Sequence, residues 1–484
     1  MSAATTRITR PDAVDVSCRL PVLKLMLGAL AWLLLGLVFA VAAGLAFQQP
    51  RFALCEYITP GKLAAVARTA LVYGFASQAG LAVAIWVLAR VGEAPVKTGL
   101  AIAAGGVFWN IGVTAGVVGI LWGEQSGIPY FDFPSYAGGI LLAAYALMGV
   151  STLSSFGTGV RRPLQWSQWF ILAAMLWFPW LLSTAQIFLV WFPVRGVLQA
   201  VIGGWYAQGL LWGWLTPLTL GTLFYLLPEL TGKPLPRRSF AVLGFWGLLL
   251  LAGWNGAGPL IGGPVPAWIA SIGVVAGTLL FLPVVLVSLN LFIRDSFGLC
   301  LGQPALQLAR LSAICFTVGG VSTAFTSLRC ANRVLHFTLF PLALNELWIL
   351  GFVGLGLLAA FYVILPRLIG FAWNQTLLAF THVGLSVVGL GLTFLAYAVG
   401  GWIQGHQLDG TSNSLVAVNA GLAKFFALHT LGLAVFLLGQ LAFVGHIACV
   451  SIRHFPMVKA FVLSLMTPDG AVNAGMAASN SATK

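Results

Sequence analysis

Imidazole and thiolate are the side chains that most often hold redox metals in proteins. This 484-residue chain has six histidines: His336, His382, His406, His429, His446 and His454. All lie in the last third, and none occurs from Met1 to Leu335. His429 and His446 are 17 residues apart, which does not place two ligands on one helix face. The cysteines Cys18, Cys55, Cys300, Cys315, Cys330 and Cys449 are scattered without a CxxC pair, which argues against an iron–sulfur cluster, a zinc ribbon or a covalent heme. The most informative acid is Glu346, inside the apolar run Leu344-Asn345-Glu346-Leu347-Trp348. A carboxylate at such a place is costly and is a functional candidate by default. Glu124 and Asp132 fall between apolar runs, so no chain of intramembrane acids is visible for a proton route.

The elements that position these residues are membrane helices. The chain is 60% hydrophobic and only 7% charged, far from the roughly one quarter charged residues of a soluble domain. Apolar runs near 20 residues recur, each long enough to cross about 30 Å of hydrocarbon as a helix. Twelve spans are expected, near 21–48, 63–89, 98–122, 135–155, 166–193, 199–228, 240–261, 267–293, 309–328, 336–364, 375–402 and 420–450. Residues 1–20 read as a cytoplasmic N-terminal segment without a cleavable signal, 21–451 as the membrane domain, and 452–484 as a cytoplasmic tail, partly disordered. The net charge of +13 does not point to nucleic acid here, because the cations fall mostly between spans. With the N-terminus inside, only Arg51, Lys62, Arg68, Arg195, Arg329, Arg333 and Lys424 of the 24 Lys and Arg lie outside. That bias places both termini in the cytoplasm and the chain in a bacterial inner membrane.

Three stretches carry a more specific pattern. The first is Trp205-Tyr206-Ala207-Gln208, followed by Tyr225-Leu226-Leu227-Pro228-Glu229. The second is Phe245-Trp246, then Trp254-Asn255-Gly256 and Pro266-Ala267-Trp268. The third runs from Ser327-Leu328-Arg329 through Asn332 and His336-Phe337-Thr338 to Gly351-Phe352-Val353-Gly354 and Tyr362-Val363-Ile364-Leu365-Pro366-Arg367-Leu368. Together they resemble the catalytic subunit I of the C-type, or cbb(3)-type, heme–copper cytochrome c oxidases. That family reads WYGH at the first place, FW…WAGPHH…PDW at the second, and SIK…N…HYT…GHVH…GWVG…YYLVPRL at the third. Trp32, His382 and Gln404-Gly405 also match, and the resemblance spans about residues 20–450.

The resemblance implies an all-α, twelve-helix bundle in three arcs, with hemes and a copper held by histidines and oxygen reduced between them. It places the copper ligands at Gln208 and at Gly258 and Pro259 or one residue beyond, the tyrosine crosslinked to a copper ligand at Arg238, the axial ligand of the high-spin heme at Leu344, and those of the low-spin heme at Ala67 and Glu346. None of these residues is a histidine, and leucine and glycine side chains cannot coordinate a metal. The expectation is therefore a member of the family with no cofactor and no metal site of its own. Glu346 and Arg68, which adjoins Ala67, are expected to pair, unless Arg68 reaches the interface and Glu346 stays protonated. His336 and Arg329 are expected to form a polar cluster, with His336 as a satisfied residue at a helix start as the bland alternative.

Three functions remain open at this point. The first is a catalytically degenerate homologue, a structural or assembly subunit alongside other subunits of a respiratory complex in the lipid bilayer. The second is a divergent oxidase or nitric-oxide-reductase-like subunit with unusual ligands. The third is a small-molecule transporter, although no inverted repeat stands out.

Overall fold

A computed structural model describes residues 12–49, 57–157, 163–234, 237–292, 302–370, 373, 376–410 and 414–459. Twelve helices among them are long and apolar enough to cross a membrane: Ala13–Gln48, Pro60–Gly92, Gly99–Trp122, Ser135–Phe156, Trp166–Trp191, Val197–Thr231, Arg238–Leu260, Ala267–Phe292, Pro304–Ser327, Phe340–Ile369, Leu377–Asp409 and Leu415–Arg453. They are called spans 1 to 12 in that order. No strand occurs among the described residues. An even number of crossings returns the last helix to the face from which the first one starts.

Local chemistry explains several boundaries. Asp12 caps span 1 by accepting from the Asp15 amide at 3.0 Å. Ser414 caps span 12 by accepting from the Ala417 amide at 3.2 Å. Gly123 and Gly370 end spans 3 and 10 with φ of 97° and 92°, a left-handed turn that glycine adopts without strain. The helix of span 1 starts at Ala13, within the segment 1–20 expected to precede the membrane domain. The charges in its first turns are tolerated because they have partners. Asp15 accepts from Trp86 Nε1 at 3.0 Å and lies 3.8 Å from Arg90, and Arg19 Nε donates to the Leu368 carbonyl at 2.9 Å. Span 11 likewise runs on to Asp409, through residues expected to turn. The expected tail from 460 to 484 lies outside the described residues.

Hydropathy alone does not rank the spans by depth, but the structure does. Spans 2, 6 and 10 are almost wholly buried, whereas the other nine leave half or more of their most apolar windows exposed. The three inner helices form the axis of the bundle and the others wrap around them. The outer helices pack closely through small residues, as membrane helices do. At the crossing of spans 11 and 12, a Cβ on Gly389 would lie 2.7 Å from Phe436 Cα and 2.8 Å from the Gly432 carbonyl.

Candidate functional site

The three inner spans share a local irregularity. Each changes from α to π geometry just after a position that the resemblance assigns to a metal or heme ligand. In span 2 the π stretch Ala70–Ser77 follows Ala67. In span 6 Gly209–Leu215 follows Gln208 directly. In span 10 Leu347–Gly354 follows Leu344 and Glu346. Such π turns within α-helices occur frequently at functional sites. The remaining pair, Gly258 and Pro259, opens the single 3-10 turn that closes span 7. The backbones of spans 6 and 7 meet here: a Cβ on Gly256 would lie 2.5 Å from Trp205 Cα.

Spans 6, 7, 9 and 10 surround a chamber of about 120 Å³. Gln208, Asn255, Gly258, Pro259 and Leu344 line it, together with Thr323, Ser327, Asn332, His336 and Asn345. Asn255 Nδ2 donates to Gln208 Oε1 at 3.3 Å, so these two amides satisfy one another. Trp212 and Trp348 pack against each other at the chamber wall with ring centroids 4.2 Å apart and planes tilted by 36°, and Trp348 Nε1 donates to Thr216 Oγ1 at 3.0 Å. Both tryptophans are nearly fully buried. The chamber thus offers amides, hydroxyls and one imidazole, that of His336.

Glu346 and Arg68 do not pair with each other as expected. Glu346 Oε2 lies 2.7 Å from Nε2 of His429 on span 12. The His429 ring stacks on Tyr397 of span 11, with centroids 3.6 Å apart and planes 2° from parallel. Arg68 instead forks onto Asp132, with Nη2 at 2.8 Å from Oδ1 and Nε at 3.2 Å from Oδ2. Asp132 comes from the loop between spans 3 and 4, which folds inward and leaves that side chain only 6% exposed. A bidentate fork onto a carboxylate satisfies the planar donors of the guanidinium.

The two members of the expected polar cluster have partners of their own. Arg329 Nη2 donates to Ser271 Oγ at 2.8 Å, while His336 bonds to the backbone of Pro259. His382 and His446 lie in a different layer, where His382 contacts Tyr362 and Gln440 and His446 contacts Thr376. Sequence reading missed the buried tyrosine pair. The Tyr73 and Tyr206 hydroxyls bond to each other, and Tyr73 also donates to the Tyr130 carbonyl at 2.7 Å. The only trace in the sequence was Tyr206 within Trp205-Tyr206-Ala207-Gln208.

Comparison with known proteins decides the family. The family described as "Cytochrome C and Quinol oxidase polypeptide I" matches residues 21–437. The chain belongs to this family. Similar relatives include a cytochrome c oxidase subunit 1 homolog of Agrobacterium tumefaciens (strain T37), 21% identical over 446 residues, covering 87% of this chain and 82% of the relative. Cytochrome c oxidase subunit 1 of Rhodobacter capsulatus is 23% identical over 440 residues, with 86% and 82% covered. The cbb3-type cytochrome c oxidase subunit CcoN1 of Stutzerimonas stutzeri is 24% identical over 259 residues, with 51% and 54% covered. A heme–copper terminal oxidase dimer solved by cryo-EM shares the fold, with a TM-score of 0.71 at 14% identity over 90% of this chain and 84% of that one. The resemblance read from the motifs, the twelve-helix class and the integral, multi-pass membrane location are thereby borne out.

Family membership also corrects one expectation. Members of this oxidase family normally bind heme and copper, so the expectation of a chain with no cofactor does not stand. The donors around the chamber do not fit a copper ion held by three imidazoles. Gln208, Gly258 and Pro259 offer one side-chain amide, and no group of three or more His, Cys, Asp or Glu residues that could hold a metal occurs among the described residues. Elsewhere, Nδ1 of His429 is the one buried imidazole nitrogen without a hydrogen-bond partner among the described residues.

Proposed function

We propose that this member of the oxidase subunit I family is a catalytically degenerate homologue. It serves as a structural or assembly subunit of a respiratory membrane complex and does not itself reduce oxygen at a heme–copper centre. One observation carries this reading. At the chamber, the expected copper and high-spin heme positions Gln208, Gly258, Pro259 and Leu344 offer one amide and no imidazole, and His336 is the one imidazole among the residues that line it. Gln208 is bound to Asn255, and Trp212 and Trp348 pack against each other at the wall. Oxygen reduction needs electron-transfer groups held in fixed relation to the reacting site, and amide and hydroxyl oxygens are donors suited to harder, redox-inactive ions. The scaffold persists through the π turns and the buried inner helices, as it would where packing against partner subunits is the retained task. Fold alone does not confer the family's reaction.

The proposal concerns turnover and is tested by turnover, whatever heme the purified chain carries. The full chain is purified from its native membrane with an affinity tag. Oxygen uptake is then measured with an artificial reductant, and the co-purifying proteins are identified. Other respiratory subunits are expected in the eluate, with oxygen uptake by the isolated chain no higher than that of empty micelles. Sustained uptake by the chain alone, at roughly 1 s⁻¹ or faster as for an ordinary enzyme, would show that it is an oxidase after all.

A further inference from the structure

The chamber between spans 6, 7, 9 and 10 is rich in oxygen, and its hydrogen bonds show which lone pairs remain free. Thr323 Oγ1 donates to the Gly319 carbonyl at 2.8 Å, and Ser327 Oγ donates to the Thr323 carbonyl at 2.8 Å. Each hydroxyl has thus given its single proton to its own helix and keeps only acceptor capacity for the chamber that both line. Asn255 is 5% exposed, and its Nδ2 donates to Gln208. Its Oδ1 takes no hydrogen bond from any described residue, yet the atom is not sealed off from the chamber. A buried acceptor left unserved is costly. Asn255 Oδ1 and Ser327 Oγ also converge. A Cβ on Gly277 of span 8 would lie 2.8 Å from the first and closer still to the second, so the bare glycine is what leaves them room.

The backbone adds negative potential at the same place. The α-helical part of span 7 ends at Asn255, and span 9 ends at Ser327. The last carbonyls of a helix lack partners in their own helix and carry partial negative charge. The start of span 10, which reaches the chamber through Pro341, opposes this little. Its Leu339 and Phe340 amides are already taken by Gln404 Oε1 at 2.9 Å and Thr338 Oγ1 at 3.2 Å. Among the described residues no Lys, Arg, Asp or Glu lines the chamber, and Arg329 is held by Ser271 instead. We propose that the chamber binds a small monovalent cation, an alkali ion, between Asn255 Oδ1, Ser327 Oγ and Thr323 Oγ1, with water completing its shell. Hard cations take oxygen ligands. A divalent ion would call for carboxylates, whereas neutral oxygens alone replace the shell of an alkali ion, as they do in channel filters. The chamber's 120 Å³ holds such an ion with several waters.

The inference rests on the reading that this chamber holds no redox copper. Missing cation binding would remove the inference and leave that reading, while stoichiometric copper on the purified chain would remove both. Equilibrium dialysis of the full chain in neutral detergent tests it, with radioactive sodium and rubidium offered separately and choline as the background cation. A single saturable site per chain is expected for sodium or rubidium, displaced by the unlabelled alkali ion and not by choline. Ser327→Ala should weaken binding roughly tenfold, the scale of one bond to a charged group. Asn255→Asp should tighten it, because a carboxylate of the same size sets a full negative charge beside the ion. A misfolded chain would lose binding, so tightening cannot come from damage. The idea is refuted if neither ion binds saturably, or if both variants bind as the native chain does. Displacement by ammonium at lower concentration than by any alkali ion would also overturn it, because the occupant would then be an ammonium compound.

Discussion

The bond between Glu346 and His429 joins span 10 to span 12 inside the membrane, and its strength can be worked out from its surroundings. His429 is 6% exposed and Glu346 is 29% exposed, so water competes for the carboxylate but hardly reaches the imidazole. A hydrogen bond involving a charged group contributes about 1.5–3 kcal/mol. With partial access of water to Glu346, a coupling of about 1–2 kcal/mol is expected. Glu346→Ala alone should cost about 2 kcal/mol, because it strands a buried imidazole whose Nδ1 already lacks a partner. His429→Phe removes the nitrogens but keeps a flat ring on Tyr397. Its cost then excludes most of the stacking, worth about 0.5–1.5 kcal/mol. The two single variants and the double variant form a cycle, measured by reversible unfolding in mixed dodecylmaltoside and SDS micelles. A second cycle pairs Glu346→Ala with Arg68→Ala, which should be additive to within about 0.5 kcal/mol for residues without a shared partner. A Glu346–His429 coupling below about 0.5 kcal/mol, or a larger coupling to Arg68, would refute the assignment.

Two further outcomes are expected. Gly389→Ala places a methyl 2.7 Å from Phe436 Cα and 2.8 Å from the Gly432 carbonyl, both backbone atoms. It should cost about 1–3 kcal/mol through overpacking; Gly384→Ala, on the same helix with nothing within 4 Å, should cost almost nothing in the same unfolding assay. At the N-terminal end, partial burial pushes the Asp12 carboxyl up, but the Asp15 amide and the Arg90 guanidinium together outweigh it and hold the group below its ordinary 3.8. A depressed carboxyl stabilises the fold above its unfolded value and loses that contribution as pH falls through its folded value. The difference in denaturation midpoint between the native chain and Asp12→Asn should therefore be constant at neutral pH, begin to shrink near pH 4 and be lost as pH falls through the lower folded value; a difference that persists undiminished in stronger acid would rule out the ion pair as its source.

The membrane spans were legible because an apolar run near 20 residues has few other uses. Their depth was not, because lipid and protein interior are equally apolar: span 10 and span 12 read alike, yet one is central and the other peripheral. Polar partners were the harder loss. Glu346 was matched with Arg68 because both stand at or beside ligand positions, but a register match fixes a place along a helix and leaves open which neighbour it faces. His429 was weighed against His446 on its own helix, whereas its partner lies 83 residues away. Asp132 was placed in a loop, correctly, but no pattern in that loop told that it folds back onto Arg68.

The π turns are a feature that hydropathy could not show; a fourth, Gln186–Trp191 in span 5, stands beside no expected ligand position. A π turn carries a residue in excess of the α repeat. Removing it would rotate everything beyond it by about 100°, since an α-helix turns once in about 3.6 residues. In span 10 such a rotation would swing Trp348, Phe352 and the Tyr362 layer off their present neighbours. In span 6 it would move Trp212 and Trp214. A ligand side chain can be exchanged for another of similar volume at the cost of its own contacts only, but the turn beside it cannot be straightened without repacking half a span.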